Sequence, residues 1–201
     1  EESSGNQTTA PVSPRRKLIT LVYRTYCGSN TVALYKLVPE KLADEYDIRL
    51  VVQNSSDDFY NLIGASNMIV TTHGCIKSRR DQISAELWHG IPLKTIGDMV
   101  NDINDESRKT HNYWWSKADV VTSYSQTYST LMNACVNIGG HKFVITGAPR
   151  NDLLLTSDGR KKLSELTDID LTGKKILFFL PTFRTTFYGR YDGNKEWDNI
   201  F

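Results

Sequence analysis

The sequence predicts an α/β fold in which helices cover a mostly parallel sheet. Short, apolar, β-branched runs recur along the chain, and the stretches between them space apolar residues three and four apart. Hydrophobic residues make up 39% and charged residues 23% of the 201 residues, enough apolar material for one core and part of another.

Residues 1–16, EESSGNQTTAPVSPRR, are polar, carry Pro11 and Pro14, and read as a linker. KLITLVY (17–23) reads as a buried strand, followed by a turn at Cys27-Gly28-Ser29. NTVALYKLVPEKLADEY has helical spacing with an interruption near Pro39. DIRLVVQ (47–53) is the next strand, and SSDDFYNLIGAS has the serine cap and acidic first turn of a helix. NMIVTT (67–72) and ISAELW (83–88) read as strands, 103–117 as a polar helix, and DVVTSY (119–124) as another strand. SQTYSTLMNACVNIG (125–139) reads as a helix ended by Gly139, and KFVIT (142–146) as a strand. A polar helix at 159–168 and a strand over KKILFFLP (174–181) complete the series. Parallel strands joined by right-handed crossovers bring their carboxyl ends to one edge, where ligands bind in open α/β sheets.

The formal net charge of +1 gives no global steering toward nucleic acid. Cys27, Cys75 and Cys135 are far apart and lack metal-site spacing, so reduced thiols in a cytoplasmic setting are expected. No apolar run approaches the roughly 18 residues of a membrane span. The opening at Glu1 and the end at KEWDNIF lead us to expect a segment of a longer protein.

His89 directly follows ISAELW, at the expected ligand edge. A neutral imidazole suits a general base near neutral pH. Gly90 admits backbone close to a ligand, Pro92 stiffens the turn, and Lys94 offers a point charge to an anion. On spacing alone a plainer reading is favoured: Trp88 in the core, His89 bonded to a loop carbonyl, Lys94 solvated. In TGAPRNDLL (146–154), Gly147 suits a turn, Pro149 suits a first helical turn, and the amides with Arg150 offer an anion site. A structural turn is the plainer reading there. Thr182 and Arg184 in LPTFRTT (180–186) follow a strand, where phosphate contact and an exposed connector stand equally open. YCGSN (26–30) lacks GxGxxG, so no dinucleotide fingerprint is expected. His73 in TTHGC ends a strand beside Gly74, where a satisfied loop histidine is favoured over a supporting role in the cleft. KSRR (77–80) ordinarily marks a solvated face, with anionic lipid or polymer as the alternative. At least one of the adjacent Trp114 and Trp115 belongs in the core, and His111 and His141 read as structural.

Taken together and in order, WHGIPLKTIG (88–97), TGAPRNDLL (146–154) and ILFFLPTFR (176–184) resemble the CDP-glycerol glycerophosphotransferase family, whose members build teichoic acids and related capsule polymers. The resemblance covers about residues 17–190. It implies a GT-B-like fold of two Rossmann-like domains, the first holding most of the acceptor and the second the CDP-alditol. The expected division is 17–155 as the acceptor domain, 156–173 as a connector and 174–201 as the start of the donor domain. The family's second domain continues well beyond PTFR, and TTHGC is not placed by the resemblance, which leaves His73 unassigned.

The resemblance implies that His89 is catalytic and that Arg184 lies near the donor phosphates. Trp88, Gly90, Lys94, Gly147, Arg150 and Thr182 complete the candidate substrate-binding set, with His73 in a supporting position. The expected reaction transfers an alditol phosphate, glycerol phosphate foremost, from a CDP-linked donor to a hydroxyl of a lipid-linked or polymer acceptor. The alternatives are a nucleotide-sugar glycosyltransferase of the same fold and a non-catalytic module that binds polymer or a partner. No metal ligand is expected from this chain, and a Mg2+ requirement stays open. The expected location is cytoplasmic, peripheral on the inner face of the plasma membrane.

Overall fold

The computed structural model describes residues 16–24, 29–93, 95–101 and 103–179. The chain divides into two units, with the boundary between Ser157 and Asp158. The first is built on six strands: β1 (Leu18–Tyr23), β2 (Asp47–Val52), β3 (Met68–Thr71), β4 (Ile83–Glu86), β5 (Val120–Ser123) and β6 (Phe143–Ile145). Their order is β2-β1-β3-β4-β5-β6 and every pairing is parallel. Between them run α1 (Ser29–Lys36), α2 (Glu40–Glu45), α3 (Asp57–Ala65), α4 (Asp105–Ser116) and α5 (Gln126–Val136), with α6 (Pro149–Thr156) closing the unit.

Strand alternation sends neighbouring residues to opposite faces. Leu21 joins Val70, Ala85 and Leu87 in one buried cluster, while Val22 joins Phe59, Ile63 and Ile69 in another. A third cluster gathers Trp115, Val121, Tyr128, Met132 and Val136 around Cys75 and Cys135. Both faces of the sheet are therefore covered, which is why its strands read as nearly continuous apolar runs. Of the two adjacent tryptophans, Trp115 is buried and Trp114 is 42% exposed.

Caps set most helix starts. Ser56 Oγ accepts from Phe59 N, Asn104 from Ser107 N and Ser125 from Tyr128 N. Pro39 lies in extended conformation between α1 and α2, where its missing N–H and ring would break a continuous helix. Two expectations need correction. The helix from 126 stops at Asn137, which takes the left-handed conformation (φ 48), and Gly139 lies beyond it. Asparagine serves because its short polar side chain tolerates that region.

The second correction lies in the second unit. There α7 (Gly159–Thr167) is capped by Asp158, and Arg160 donates to the carbonyls of Leu171 and Lys174. Over 174–179 the expected strand is absent, and Leu177 is 94% exposed. A strand needs a hydrogen-bonded neighbour, and none lies beside this run among the described residues. Residues 180 and 181 of the expected strand, the 1–15 part of the linker and the turn residues Cys27 and Gly28 lie outside the described residues.

Gly97 packs a short 3-10 turn (97–99) against α5. Its φ is 55, and a Cβ there would strike the Cys135 carbonyl and the His111 ring. Gly97→Ala should destabilise the first unit by about 2 kcal/mol or more, since strain and overlap add. Urea unfolding of the variant against the parent measures this, and equal midpoints would refute the packing described.

Candidate active site

The parallel sheet delivers the ends of β1, β3, β4, β5 and β6 to one edge. Two histidines meet there. His73 follows β3, His89 follows β4, and their rings stack at 4.1 Å between centroids with planes 7° apart. Trp88 packs on the other neighbour of the pair, 4.1 Å from the His89 ring, and rests on buried Trp115 at 5.2 Å. The His89 imidazole is thus packed against two aromatic groups and half-buried.

His89 Nδ1 lies 2.9 Å from the Thr72 carbonyl oxygen. A carbonyl only accepts, so Nδ1 carries the hydrogen and the neutral ring keeps its lone pair on Nε2. The plainer sequence expectation, a loop carbonyl bonded to His89, is met on Nδ1, and that bond does not occupy Nε2. Burial lowers the His89 pKa below its ordinary value, opposed by the Thr72 bond and assisted by Arg150 and Arg24. His73 is lowered further, to about 4, by burial first, then by His89 and Arg24. Two rings in face contact do not hold two protons near neutral pH. The Thr72 hydroxyl bonds His73 Nδ1 at 2.8 Å.

Below the histidines lies Glu86, fully buried. Its Oε2 accepts from the Thr71 hydroxyl at 2.8 Å and Gly74 N at 3.0 Å, and its Oε1 accepts from Trp88 N at 2.8 Å. One carboxylate thereby ties the His73 loop to the His89 loop. Burial pushes Glu86 up to about 7 despite these three donors, which favour the charged form. The turns are tight: Gly74 has φ 101, Gly90 φ 154 and Trp88 φ 52. A tryptophan in that last region costs on the order of 1–3 kcal/mol, so the surrounding bonds must hold it.

Asn30 and Arg150 supply those bonds from afar. Asn30 Nδ2 donates to the Trp88 carbonyl at 2.8 Å, and its Oδ1 accepts from Arg150 N at 3.3 Å. Arg150 Nη1 donates to the His89 carbonyl at 2.7 Å. A Cβ on Gly90 would approach the Arg150 guanidinium to 3.3 Å. Arg150 therefore braces the His89 turn, and Gly147 (φ 79) makes the bend that brings α6 there. Gly90, Arg150, Trp88, His73 and His89 are brought together, Gly147 lies in the turn before Arg150, and Lys94, Thr182 and Arg184 lie outside the described residues.

Sequence reasoning missed Glu86 and Asn30. A charged residue inside the apolar run ISAELW was the available signal for Glu86; nothing local marked Asn30. Among the described residues, no three His, Cys, Asp or Glu side chains converge as metal ligands would. The description "CDP-Glycerol:Poly(glycerophosphate) glycerophosphotransferase" fits a family whose pattern matches residues 24–199.

A teichoic acid poly(glycerol phosphate) polymerase of Bacillus spizizenii is 25% identical over 222 aligned residues, covering 92% of this chain and 55% of the relative. A protein of the same name from Staphylococcus epidermidis is 22% identical over 157 residues, 73% of this chain and 22% of the relative. The structure of the wall teichoic acid polymerase TagF superposes with a TM-score of 0.62 at 15% identity, over 85% of this chain and 46% of that one. The chain thus spans about half, or less, of the relatives it matches. The fold is a Rossmann-like parallel α/β sheet, as in that structure.

The Glu86 pKa, raised to about 7, has a consequence for stability. The folded chain binds a proton that the unfolded chain has released, so this contribution is full below the ordinary carboxylate value and is lost as pH rises through about 7. The parent should lose thermal stability relative to Glu86→Gln between about pH 4.5 and 7, the interval between those two values. Parallel melting temperatures across that interval would contradict the buried carboxylate.

Proposed function

The chain belongs to the CDP-glycerol:poly(glycerophosphate) glycerophosphotransferase family, and from that premise we propose that it serves in transferring glycerol phosphate from CDP-glycerol to a polymer hydroxyl. The acceptor oxygen attacks the phosphorus next to the glycerol, a new P–O bond forms, and the bond to CMP breaks. His89 Nε2 takes the hydroxyl proton. The single observation that supports this role most is the His89 Nδ1–H bond to the Thr72 carbonyl, which leaves Nε2 as the basic atom and steadies the imidazolium once formed. His73 stacks on the ring, Trp88 packs against it at a tilt, and Arg150 fixes the turn that carries it.

In this reading residues 17–155 form the acceptor domain, 156–173 a connector and 174–201 the start of the donor domain. Lys94, Thr182 and Arg184 serve as contacts to the phosphates, with Gly90 and Gly147 keeping the approach open. The protein works at the cytoplasmic face of the membrane and touches it peripherally. No helix of the described residues is long and apolar enough to cross a membrane. The basic run at 77–80 is the candidate contact, although Lys77 pairs with Asp119 and Arg79 with Asp81.

In the complete enzyme His89→Ala should lower turnover at least about 10²-fold with folding intact, and His73→Ala should cost much less. CMP release from CDP-glycerol, CDP-ribitol and nucleotide-sugars reads this out, and equal losses in the two variants would remove the distinction between them. Because His89 is lowered, activity should persist below the ordinary imidazole value of about 6.5. Changing Lys77, Arg79 and Arg80 to Ser should weaken anionic-liposome binding by about 1 kcal/mol per charge at most. Unchanged sedimentation with liposomes would move the membrane contact elsewhere.

A further inference from the structure

β1 and β3 are neighbours, yet the chain leaves them in opposite directions, to β2 on one side and β4 on the other. Such a reversal opens a crevice beyond the carboxyl ends of the strands. A pocket of about 410 Å³ lies there, lined among others by Arg24 after β1, Gln53 and Asn54 after β2, Tyr60 on α3 and Trp114 on α4. The histidine pair does not line it, and the reaction as derived above leaves it unused.

The pocket adjoins the histidines. A Cβ on Gly74, next to His73, would lie 3.8 Å from Trp114 Cβ. The Arg24 charge acts on both His73 and His89. Its contents are chemically mixed. Tyr60 and Trp114 stay 57% and 42% exposed, with Lys117 Nζ 4.9 Å from the centroid of the Trp114 ring. Arg24 Nε donates to Gln53 Oε1 at 3.2 Å, and the remaining N–H groups of the guanidinium suit phosphate oxygens. The Gln53 and Asn54 amides offer donors and acceptors to hydroxyls.

Among its described lining residues, Arg24 is the one cation. One guanidinium matches the single charge of a phosphodiester better than the two or more charges of a nucleoside diphosphate. We propose that this pocket is the acceptor subsite: it takes the phosphodiester-linked polyol end of the acceptor, with a phosphate on Arg24 and the carbon skeleton against Tyr60 and Trp114, and presents the terminal hydroxyl to His89. The assignment rests on the transfer reading above. It adds the residues that select the acceptor.

The test uses a synthetic poly(glycerol phosphate) oligomer as probe, with Arg24→Gln and Trp114→Ala as variants. Both side chains are substantially exposed, and melting curves check that folding is retained. Each variant should weaken oligomer binding to the chain, measured by calorimetry without donor, at least about tenfold. In the complete enzyme each should raise the KM for the oligomer similarly and leave that for CDP-glycerol unchanged. Folded variants with parental oligomer affinity and KM would overturn the subsite while leaving the His89 reading standing. A raised KM for CDP-glycerol alone would overturn it by making this the donor pocket. Glycerol 3-phosphate binding as tightly as the oligomer would overturn the assignment to a polymer end. If no donor supports transfer, yet oligomer binding still depends on Arg24 and Trp114, the transfer reading falls and the pocket stands as a polymer site.

Discussion

The Glu86 carboxylate has no access to water, so both of its oxygens must find donors inside the protein. They find them in the Thr71 hydroxyl and in the backbone N–H groups of Gly74 and Trp88. Those amides belong to the two turns that carry His73 and His89. A parallel sheet places such turns side by side but does not fix their conformations. A buried carboxyl group that accepts from three donors does, because breaking any one of these bonds leaves a buried polar group without its partner.

The rest of the site follows from that tie. Trp88 can hold an unfavourable backbone conformation because Glu86 binds its N–H while Asn30 binds its carbonyl. With Trp88 held, its ring lies against His89 and on Trp115, which belongs to the core beneath α4. With the loop of His73 held, the Thr72 carbonyl is in position for His89 Nδ1. Arg150 completes the brace from the far end of the sheet through the His89 carbonyl. The imidazole is thereby oriented by backbone groups on rigid strand ends, as the proposed role of a base would require.

Much of the fold was legible because its signals are local. LITLVY and MIVT show buried strands by β-branching, and Ser56 before two aspartates shows a helix start. His89 stood out because an apolar strand ended on it. Asn137 was not legible as a helix end, since a glycine two residues on offered the stronger signal. KILFFL misled because apolar β-branched and aromatic residues speak for a strand only when another strand pairs with them. Asn30 reaches Trp88 and Arg150 across 58 and 120 residues, and no local pattern encodes a bond of that span. At Arg150 a structural turn was the plainer reading and an anion site the alternative; long-range geometry turns one N–H of its guanidinium to a backbone carbonyl.

Everything at this site turns on His89 being held with its hydrogen on Nδ1 and its lone pair on Nε2. Nitrogen-15 NMR of the histidine rings, titrated with pH, reads tautomer and protonation directly. The neutral His89 ring should be the Nδ1–H tautomer and should take up its second proton below the ordinary imidazole value. A neutral ring with its hydrogen on Nε2, or a titration at or above the ordinary value, would contradict it.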